Sequence, residues 1–542
     1  MLRYETVRPL FFLWKLHGEI RHYRWQLIVL SLLAVGLSSQ ALIAPQLTRH
    51  IIDVAYPARN LRLFWIISGI MVAVNIASAV IHSVHGYLST YINNMIGFRI
   101  RMRVFQALSH LPVAYVERHN TGMFLERCSN DSDVTAAMLA GIAPQIFSLI
   151  LTTVLTIILM LKINSKVAAL VIACVPVYSV ISIILATKLR RWEKQMRQKA
   201  EELSTLTVEA IQGVPTAKVF GAQKWLRANY KKLLRDKIAI VFGIWRTQLT
   251  YGRLGWAVTY GWGVVLTCGV WYLVFKDRLL LGESVALGMY IPLLLRPADA
   301  AISIYKSLMS SSVSAQRIDE VIKAAAEHKV RSTHTCPATF NKLQIRNVSF
   351  AYSDRPPCLQ DISLDLKRGE TVVIMGHTGS GKTTLLRLLA GMYDCTEGRI
   401  IVDGYNLLEI NPDDYRAKVA MVMPENFFFS WTLLENMLIA APDADEKKVR
   451  HIAEVLGIDG WIQTLPDGYN TRFGAEGVRL SSGQMQKVAL MRALLKKPRL
   501  LLLDEVTSAM DIESERQILD GLNALCPAEC ITVMTTHRLS DS

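Results

Sequence analysis

The segment between Gly376 and Thr383 has the residue types and spacing of a phosphate-binding loop. It reads GHTGSGKT, follows the apolar run TVVIM and precedes TLLRLLA, which predicts a strand, a glycine-rich turn and a helix. Glycines allow backbone N–H groups to surround phosphate oxygens, Lys382 can reach the β and γ phosphates, and the hydroxyl of Thr383 can bind Mg²⁺. We therefore predict that a nucleoside triphosphate and Mg²⁺ bind to this segment, which comprises Gly376, His377, Thr378, Gly379, Ser380, Gly381, Lys382, Thr383 and Thr384.

Two acidic residues farther along the chain have the types needed to complete such a site. The apolar run Leu500–Leu503 ends in Asp504 and Glu505. In enzymes with a phosphate-binding loop, an Asp at the end of a strand holds Mg²⁺ and an adjacent Glu polarises the attacking water. The pair alone is a weak signal, because many buried strands end in an acidic residue. After the glycine-rich loop it predicts that Asp504 is a metal ligand and that Glu505 is catalytic, together with Lys382.

The segment Leu480–Gln484 carries a resemblance to a known family. It reads LSSGQ and precedes the Asp504 strand, and it resembles the signature sequence of ATP-binding cassette proteins. By position, the resemblance implies that Tyr352 stacks on adenine and that His537 is the catalytic histidine that senses the γ-phosphate. Ser508–Asp511 is similar to the D-loop of this family. The signature residues that would contact ATP held by a second cassette are Ser481, Ser482, Gly483 and Gln484.

The resemblance implies that the chain works as a dimer. Two cassettes enclose two ATP molecules, each held by the phosphate-binding loop of one cassette and the signature serine of the other. ATP closes the pair and turns the helical bundle outward, and hydrolysis with Glu505 as base resets it. A homodimer and a heterodimer with a second half-transporter both stay open, because Ser482 replaces the usual middle glycine of the signature and some heterodimeric members carry an altered signature.

Two further departures from the family pattern concern the metal site and the C-terminus. Where the family usually has a glutamine that contacts Mg²⁺, Val422–Asn426 reads VMPEN, so that Pro424 or Glu425 takes its place. Glu425 is kept as a candidate metal ligand, although it adds negative charge beside the phosphates. The sequence ends at Ser542, shortly after His537. The expectation is either a truncated sequence or a trimmed cassette.

Six apolar stretches of membrane-spanning length precede the cassette. The long connections after the second and fourth stretches carry clusters of arginine and lysine, and the positive-inside rule places these connections and both termini in the cytoplasm. A soluble helical bundle is the alternative for any one stretch, but six in series with charge alternating by loop favour a membrane domain. The predicted spans are residues 26–48, 64–88, 142–161, 167–187, 254–275 and 284–308.

The composition favours a membrane protein as well. Of the 542 residues, 51% are hydrophobic and only 19% are charged, which is an unusual balance for a soluble protein. The net charge of +15 would also suit nucleic-acid binding. However, the basic residues lie mainly next to the apolar stretches, so the predicted partner is membrane lipid and not nucleic acid.

A polar segment at residues 326–340 separates the apolar stretches from a region of alternating β-rich and helical runs, as an α/β domain with a phosphate-binding loop requires. The predicted fold is a multi-domain membrane protein, with an all-α six-helix transmembrane domain at residues 1–325, a linker, and an α/β P-loop ATP-binding cassette domain at residues 341–542. The helical half is similar to exporter-type transmembrane domains of the type IV, subfamily-B-like class. Its coupling segments would lie around Tyr115, Gly122, Arg127 and Asp131, and around Glu209, Gly213 and Lys218.

The resemblance implies ATP-driven export by a half-transporter, with ATP and Mg²⁺ as cofactors, in a bacterial inner membrane. The alternative is an ATP-gated channel or transport regulator on the same scaffold, and the apolar stretches nearly exclude a soluble cassette ATPase. The cargo stays open among small molecules, lipids and peptides. An anionic cargo would be favoured if Arg253 and Arg296 line the path. Polar residues within or at the entry to the spans would face such a path or pair with one another, and they are His82, His85, Arg253, Arg296 and Asp299.

Overall fold

The computed structural model describes Gly18 and residues 21–276, 278–329, 334–352, 356–474, 477–507 and 512–536. The chain divides into two compact units. The helical unit comprises residues 1–106 and 122–320, and the α/β unit comprises residues 107–121 and 321–542. The short segment 107–121 therefore belongs with the α/β unit, although it lies between two parts of the helical unit in the sequence.

The described residues of the helical unit form six long helices. They are α1 (Arg24–His50), α2 (Leu61–Ser109), α5 (Ser132–Ile163), α6 (Ser165–Gln212), α8 (Gln223–Phe275) and α9 (Leu281–Lys329), and each contains one of the six predicted spans. Among the described residues, three helical stretches are long and apolar enough to cross a membrane. These are Arg21–Ala55, Leu61–Ser109 and Thr121–Ile163, and shorter apolar helical stretches follow at Gly263–Phe275 and Leu281–Leu294.

The long helices continue well past the apolar stretches. Helix α6 has 48 residues, which at 1.5 Å per residue is about 72 Å, more than twice the ~30 Å hydrocarbon core of a bilayer. The two long basic connections expected from the sequence are therefore largely helical extensions of α2, α6 and α8. Helix α9 likewise runs through Lys329, into the predicted linker.

Short elements join these helices. Helix α3 (Val113–Arg118) lies in the α/β unit, α4 (Thr121–Glu126) leads into a π-helical turn at Arg127–Asp131, and α7 (Val214–Val219) joins α6 to α8. In the tight connection between α5 and α6, the side chain of Asn164 accepts hydrogen bonds from the N–H groups of Lys166 and Val167, both at 3.1 Å. This cap satisfies two of the free donors with which a helix begins.

In the described part of the α/β unit, the strands form two four-stranded sheets. The antiparallel sheet has the order β2-β1-β4-β5, and the other sheet has the order β3-β8-β7-β6 with parallel pairing. The strands are β1 (Lys342–Phe350), β2 (Leu359–Lys367), β3 (Thr371–Met375), β4 (Glu397–Val402), β5 (Tyr405–Asn406), β6 (Val419–Val422), β7 (Leu500–Asp504) and β8 (Ile531–Thr536).

Strands β7 and β8 form the core of the parallel sheet, and every residue in them is buried. Parallel strands covered on both faces read as continuous apolar runs, which is why LLLLD was recognisable as a strand. The helices of this unit are α10 (Lys382–Leu389), α11 (Pro412–Ala417), α12 (Leu433–Leu438), α13 (Glu446–Val455), α14 (Asp459–Gln463), α15 (Ser482–Leu495) and α16 (Ile512–Leu525).

Candidate functional site

The carboxyl ends of the parallel strands bring the predicted chemical residues to one edge of the sheet. Strand β8 lies between β3 and β7, with Met375 paired to Thr536 and Asp504 paired to Thr535. The glycine-rich segment begins directly after Met375. The start of the phosphate-binding loop and Asp504 therefore flank the end of β8, which is where open parallel sheets bind ligands.

The glycine-rich segment forms a turn that leads into helix α10. Gly379 and Gly381 have positive φ angles of 85° and 92°, and Gly381 is the residue that precedes the first turn of the helix. A Cβ atom on Gly381 would lie 2.9 Å from the carbonyl oxygen of Cys358 and 2.7 Å from Leu359, so both the backbone angle and the space require glycine there. The turn directs backbone N–H groups and the positive end of the helix dipole to one point.

Lys382 is the first residue of α10, and its side chain folds back over the loop. Its Nζ atom donates to the carbonyl oxygens of Gly376, at 2.6 Å, and His377, at 3.1 Å. The side chain is nearly buried, so its charge is held by loop carbonyls in a place where phosphate oxygens would be strong additional partners. Next to it, Thr383 is half-buried and Thr384 is buried.

Asp504 at the end of β7 is fully buried. Its Oδ1 atom accepts a hydrogen bond of 2.6 Å from Oγ1 of Thr535, whereas Oδ2 has no hydrogen-bond partner among the described residues. A buried carboxylate oxygen without a partner is costly. A hydrated cation would supply the missing partner, so the residues fit a divalent metal. The described residues contain no group of three or more His, Cys, Asp or Glu side chains that could hold a metal by themselves. Mg²⁺ typically keeps several waters and binds through one or two protein ligands and substrate phosphates.

Glu505 follows Asp504 in a left-handed backbone conformation, with φ at 52°. Its N–H group points to Thr535, 3.2 Å from both the carbonyl oxygen and Oγ1. Non-glycine residues adopt this conformation at a cost, and such strain concentrates at functional sites. Thr535 thus contacts both acidic residues. The sequence reasoning did not select it, because a threonine in a buried strand carries no distinguishing pattern.

The signature segment begins helix α15. Ser481 precedes the first turn, and its Oγ atom accepts from the N–H group of Gln484 at 3.3 Å while Oε1 of Gln484 accepts from the N–H group of Ser481 at 2.9 Å. This reciprocal capping box fixes the start of the helix. Ser482 and Gly483 lie in the first turn, where unpaired N–H groups favour an anion.

Tyr352 lies in an aromatic cluster of the α/β unit. Its ring packs edge-on against Phe350, at 4.9 Å between centroids, and against Tyr393, at 5.5 Å. Its hydroxyl is 3.2 Å from Oγ1 of Thr384. Because Thr384 belongs to the helix that begins with Lys382, this contact connects the predicted adenine contact to the phosphate-binding loop. The aromatic cluster also lines a cavity of about 560 Å³.

Glu117 on helix α3 lines the same cavity. Its carboxylate accepts a hydrogen bond from the hydroxyl of Tyr393 and lies 3.6 Å from Nη1 of Arg387, and Arg387 lines the same cavity as Tyr352. Burial, followed by the hydrogen bond to Glu117, raises the pKa of Tyr393. The sequence reasoning placed a coupling segment around Tyr115 but selected none of Glu117, Arg387 and Tyr393, because no motif contains them.

Among the described residues, Glu425 makes no hydrogen bond or ion pair with the phosphate-binding loop or with Asp504. Glu425 is exposed in the loop after β6, and the turn there is closed by Asn426, which bonds to the N–H and carbonyl groups of Met423 at 3.3 and 2.5 Å. His537 and Ser508–Asp511 lie outside the described residues, as do the side chains of Arg296 and Asp299. Arg253 is exposed on α8.

Comparisons with known proteins agree with this arrangement. Residues 27–298, half of the chain, match the family model of the ABC transporter transmembrane region, and residues 359–508 match that of the ABC transporter cassette. YgaD of Bacillus subtilis, named as a multidrug export ATP-binding/permease protein, is 29% identical over 96% of this chain and 91% of its own length. The alpha-hemolysin translocation ATP-binding protein HlyB of Proteus vulgaris is 27% identical over 98% of this chain and 74% of its own length.

A solved structure shares the fold. The structure of a bacterial Atm1-family ABC exporter with ATP bound superposes with a TM-score of 0.82 at 22% identity, covering 96% of this chain and 92% of that chain. Such half-transporters generally dimerise. The membrane-region match, the cassette match and the shared fold establish that this chain is a multi-pass membrane protein that binds and hydrolyses ATP and belongs to the ATP-binding cassette transporter family, with the architecture of an exporter half-transporter.

Proposed function

We propose that two copies of this chain form a homodimeric, ATP-driven exporter with two active ATP sites. The observation that carries the proposal is Asp504, a buried carboxylate with one unpaired oxygen at the sheet edge where the phosphate-binding loop begins. The capping box between Ser481 and Gln484 supports two equivalent ATP sites in the dimer. Because it holds the first turn of α15 in place, the signature segment keeps its backbone geometry although Ser482 stands where glycine is usual.

The chain's own residues divide the work of hydrolysis. The loop from Gly376 to Thr384 and Lys382 hold the phosphates, Tyr352 holds the base, and Ser481–Gln484 of one copy hold the ATP of the other. Thr383 and Asp504 would hold Mg²⁺, which neutralises phosphate charge when bound. Glu505 accepts a proton from the attacking water, and His537 contacts the γ-phosphate. Glu425, exposed after β6, is a weaker metal candidate than Asp504.

Release of the γ-phosphate provides the switch. ATP favours the closed cassette pair because both cassettes contact it, and its hydrolysis removes that differential binding. Residues 1–325 would form the transmembrane domain, 326–340 the linker and 341–542 the cassette. The basic clusters in α2 and α6 support a cytoplasmic cassette in a bacterial cell membrane. The relatives named for export and translocation support the outward direction.

Vesicle reconstitution tests the proposal. The purified chain, without any partner, should hydrolyse ATP and accumulate an amphipathic fluorescent cargo against its gradient in inside-out vesicles, and E505Q should abolish both. A transport regulator or ATP-gated channel would only pass ions or cargo down a gradient, and that result would overturn export. ATPase activity that appears only after a second half-transporter is added would overturn the homodimer.

A further inference from the structure

Two cysteines stand on either side of the turn that joins helix α16 to strand β8. Cys526 directly follows the helix and Cys530 directly precedes the strand. The N–H group of Cys530 donates to the carbonyl oxygen of Pro527 at 2.8 Å, which closes the turn. Neither thiol is in a disulfide. The pair is therefore a reactive group of the cassette that ATP binding and hydrolysis leave unused.

The side chains of the two cysteines meet in one place. Cys530 belongs to the apolar core of the α/β unit, and Cys526 packs against the same core cluster. The Sγ atom of Cys526 lies 3.8 Å from Oγ1 of Thr532. Cys530 lies two positions before Thr532, a spacing that places side chains on the same face of an extended chain. The two thiols are therefore close neighbours around the Thr532 hydroxyl.

The two thiols differ in exposure and in acidity. Cys526 is half-buried, whereas Cys530 is only 4% exposed. Hydrogen bonding from the Cys530 thiol to the Cys526 thiolate lowers the pKa of Cys526 against the effect of burial, and the same bond, together with burial, raises the pKa of Cys530. The thiolate is the nucleophilic form of cysteine. Cys526 is thus the thiol that an oxidant reaches first, and Cys530 is the protected thiol beside it.

Neighbouring segments hold the turn between the two cysteines. The carboxylate of Glu529 forms ion pairs with Arg368 and Arg499. A Cβ atom on Gly369 would lie 2.7 Å from the carbonyl oxygen of Ala528, so the chain that leads into β3 passes closely beside the turn. A disulfide requires its two Cβ atoms to lie about 3.5–4.5 Å apart with a fixed dihedral angle. Because the turn has little room to adjust, closing a disulfide would shift the end of α16 or the start of β8.

The turn lies at the edge of the parallel sheet opposite the ATP site. Strands β7 and β8 are adjacent and parallel, so α16, which joins them, runs back along the sheet from the edge where Asp504 lies. At the other end of β8, Thr535 contacts both Asp504 and Glu505. A shift of β8 or α16 at the turn would therefore move Thr535 or the chain that follows Glu505, and with it the acidic pair.

We propose that Cys526 and Cys530 form a redox modification site, in which a hydroperoxide oxidises the two thiols to a disulfide and the disulfide lowers ATP hydrolysis. Cys526 is the thiol that reacts with the peroxide, and Cys530 is the thiol that resolves the product. A dithiol reductant reverses the modification by returning two electrons and two protons to the pair.

The oxidation proceeds in two steps that balance. The Cys526 thiolate attacks one oxygen of hydrogen peroxide, the O–O bond breaks, and the released hydroxide takes up a proton to become water. Sulfur is oxidised to a sulfenic acid and the peroxide is reduced. The Cys530 sulfur then attacks the Cys526 sulfur. An S–S bond forms, the S–O bond breaks, and the hydroxyl group leaves with the Cys530 proton as a second water.

The first test measures the oxidation itself. The full chain in lipid nanodiscs is treated with graded hydrogen peroxide at pH 7, the remaining thiols are blocked with N-ethylmaleimide, and the peptides are identified by mass spectrometry. The peptide with both cysteines should lose two hydrogen atoms at a dose about tenfold below that which oxidises Cys395, because the thiolate is the reactive form. Cys395 is the reference because it is also half-buried and burial raises its pKa. Oxidation of Cys395 at the same dose, or of Cys526 to a sulfinic acid without a disulfide, would overturn the proposal.

Single-cysteine variants assign the two roles. In Cys530→Ala the sulfenic acid at Cys526 has no thiol to resolve it, so dimedone should label Cys526, although at a higher peroxide dose because the stabilising hydrogen bond is gone. In Cys526→Ala, Cys530 should remain a thiol at the dose that closes the disulfide in the unchanged protein. ATPase activity under reducing conditions shows that each variant is folded. Oxidation of Cys530 in Cys526→Ala at that dose would contradict the assignment.

The second test measures ATP hydrolysis after the same peroxide treatment. In the unchanged protein the ATPase rate should fall at least about threefold as the disulfide closes, because small displacements of catalytic groups slow a reaction strongly. A phosphine reductant should restore the rate. Cys526→Ala should keep its rate, whereas Cys395→Ala, the matched control, should lose activity as the unchanged protein does. Full ATPase activity with the disulfide closed, or an equal loss in Cys526→Ala, would overturn the control of hydrolysis by this pair.

Discussion

Thr535 donates a 2.6 Å hydrogen bond to one carboxylate oxygen of Asp504 and leaves the other oxygen without a partner among the described residues. The hydrogen bond fixes the rotation of the fully buried Asp504 carboxylate, so that the unpaired oxygen points in one fixed direction. Because Thr535 is also the residue to which the N–H group of Glu505 points, a single threonine positions both the proposed metal ligand and the proposed base.

We predict that Thr535→Val weakens the binding of Mg²⁺ more than it weakens the binding of ATP. The valine has the same shape but leaves Asp504 without a buried donor, which costs about 1–3 kcal/mol. The Mg²⁺ concentration for half-maximal ATPase should rise about tenfold, and the melting temperature should fall. Thr532→Val on the same strand is the control. An unchanged Mg²⁺ titration in Thr535→Val would show that the bond does not position Asp504.

Replacing Glu505 separates chemistry from binding. Glu505→Gln keeps the size and the strained backbone but cannot accept a proton, and we expect ATPase to fall about 10²- to 10⁴-fold, the contribution of a general base. ATP binding, measured by equilibrium dialysis, should stay within about twofold. Glu505→Asp is the matched control, because the carboxylate keeps its charge but lies on a side chain that is one methylene shorter. Substantial turnover in Glu505→Gln would mean that another group activates the water.

The sequence predicted the elements of the ATP site because each lies in a local pattern. The glycines before Lys382, the apolar run before Asp504 and the serine before Gln484 all require particular residue types within a few positions. The extent of the long helices was less predictable. In α2 and α6 the apolar run ends where the predicted span ends, yet the helix continues. The residues that follow include many basic ones, which have high helical propensity but do not form an apolar pattern.

Contacts between residues that are far apart in the chain could not be predicted from the sequence. Glu117 and Tyr393 meet although 276 positions separate them, and neither belongs to a motif. The same holds for Thr535 and Asp504, which the pairing of two parallel strands brings together.

Glu117 is predicted to transmit the state of the ATP site toward the helices. The chain runs from α2 through α3 to α4, and on α3 the Glu117 carboxylate contacts Arg387 and Tyr393, whose ring packs against the proposed adenine contact Tyr352. Glu117→Gln weakens these contacts without changing the phosphate site. Basal ATPase should stay within about twofold, while cargo stimulation should fall about fivefold or more, as expected when a coupling of 1–3 kcal/mol is lost.

Two variants control this experiment. Tyr393→Phe removes the hydroxyl that donates to Glu117 and should reproduce the loss, whereas Val116→Ala changes an exposed neighbour on the same helix and should not. Equal losses of basal and stimulated ATPase in Glu117→Gln would instead indicate a structural role.

Cys526 should react with alkylating reagents at lower pH than an ordinary thiol. It follows α16 and is half-buried, and hydrogen bonding from the neighbouring Cys530 thiol to the thiolate lowers the pKa of Cys526 against the opposing effect of burial. Since a lower pKa means more thiolate at a given pH, iodoacetamide should modify Cys526 faster at pH 7 than a free cysteine peptide when both are compared at equal accessibility. Cys530→Ala removes the donor, so the pKa of Cys526 should rise and its rate at pH 7 should fall. Cys395, whose pKa burial raises, provides an internal reference in the same digest. If Cys530→Ala does not change the dependence of the Cys526 reaction rate on pH, the neighbouring thiol does not stabilise the Cys526 thiolate.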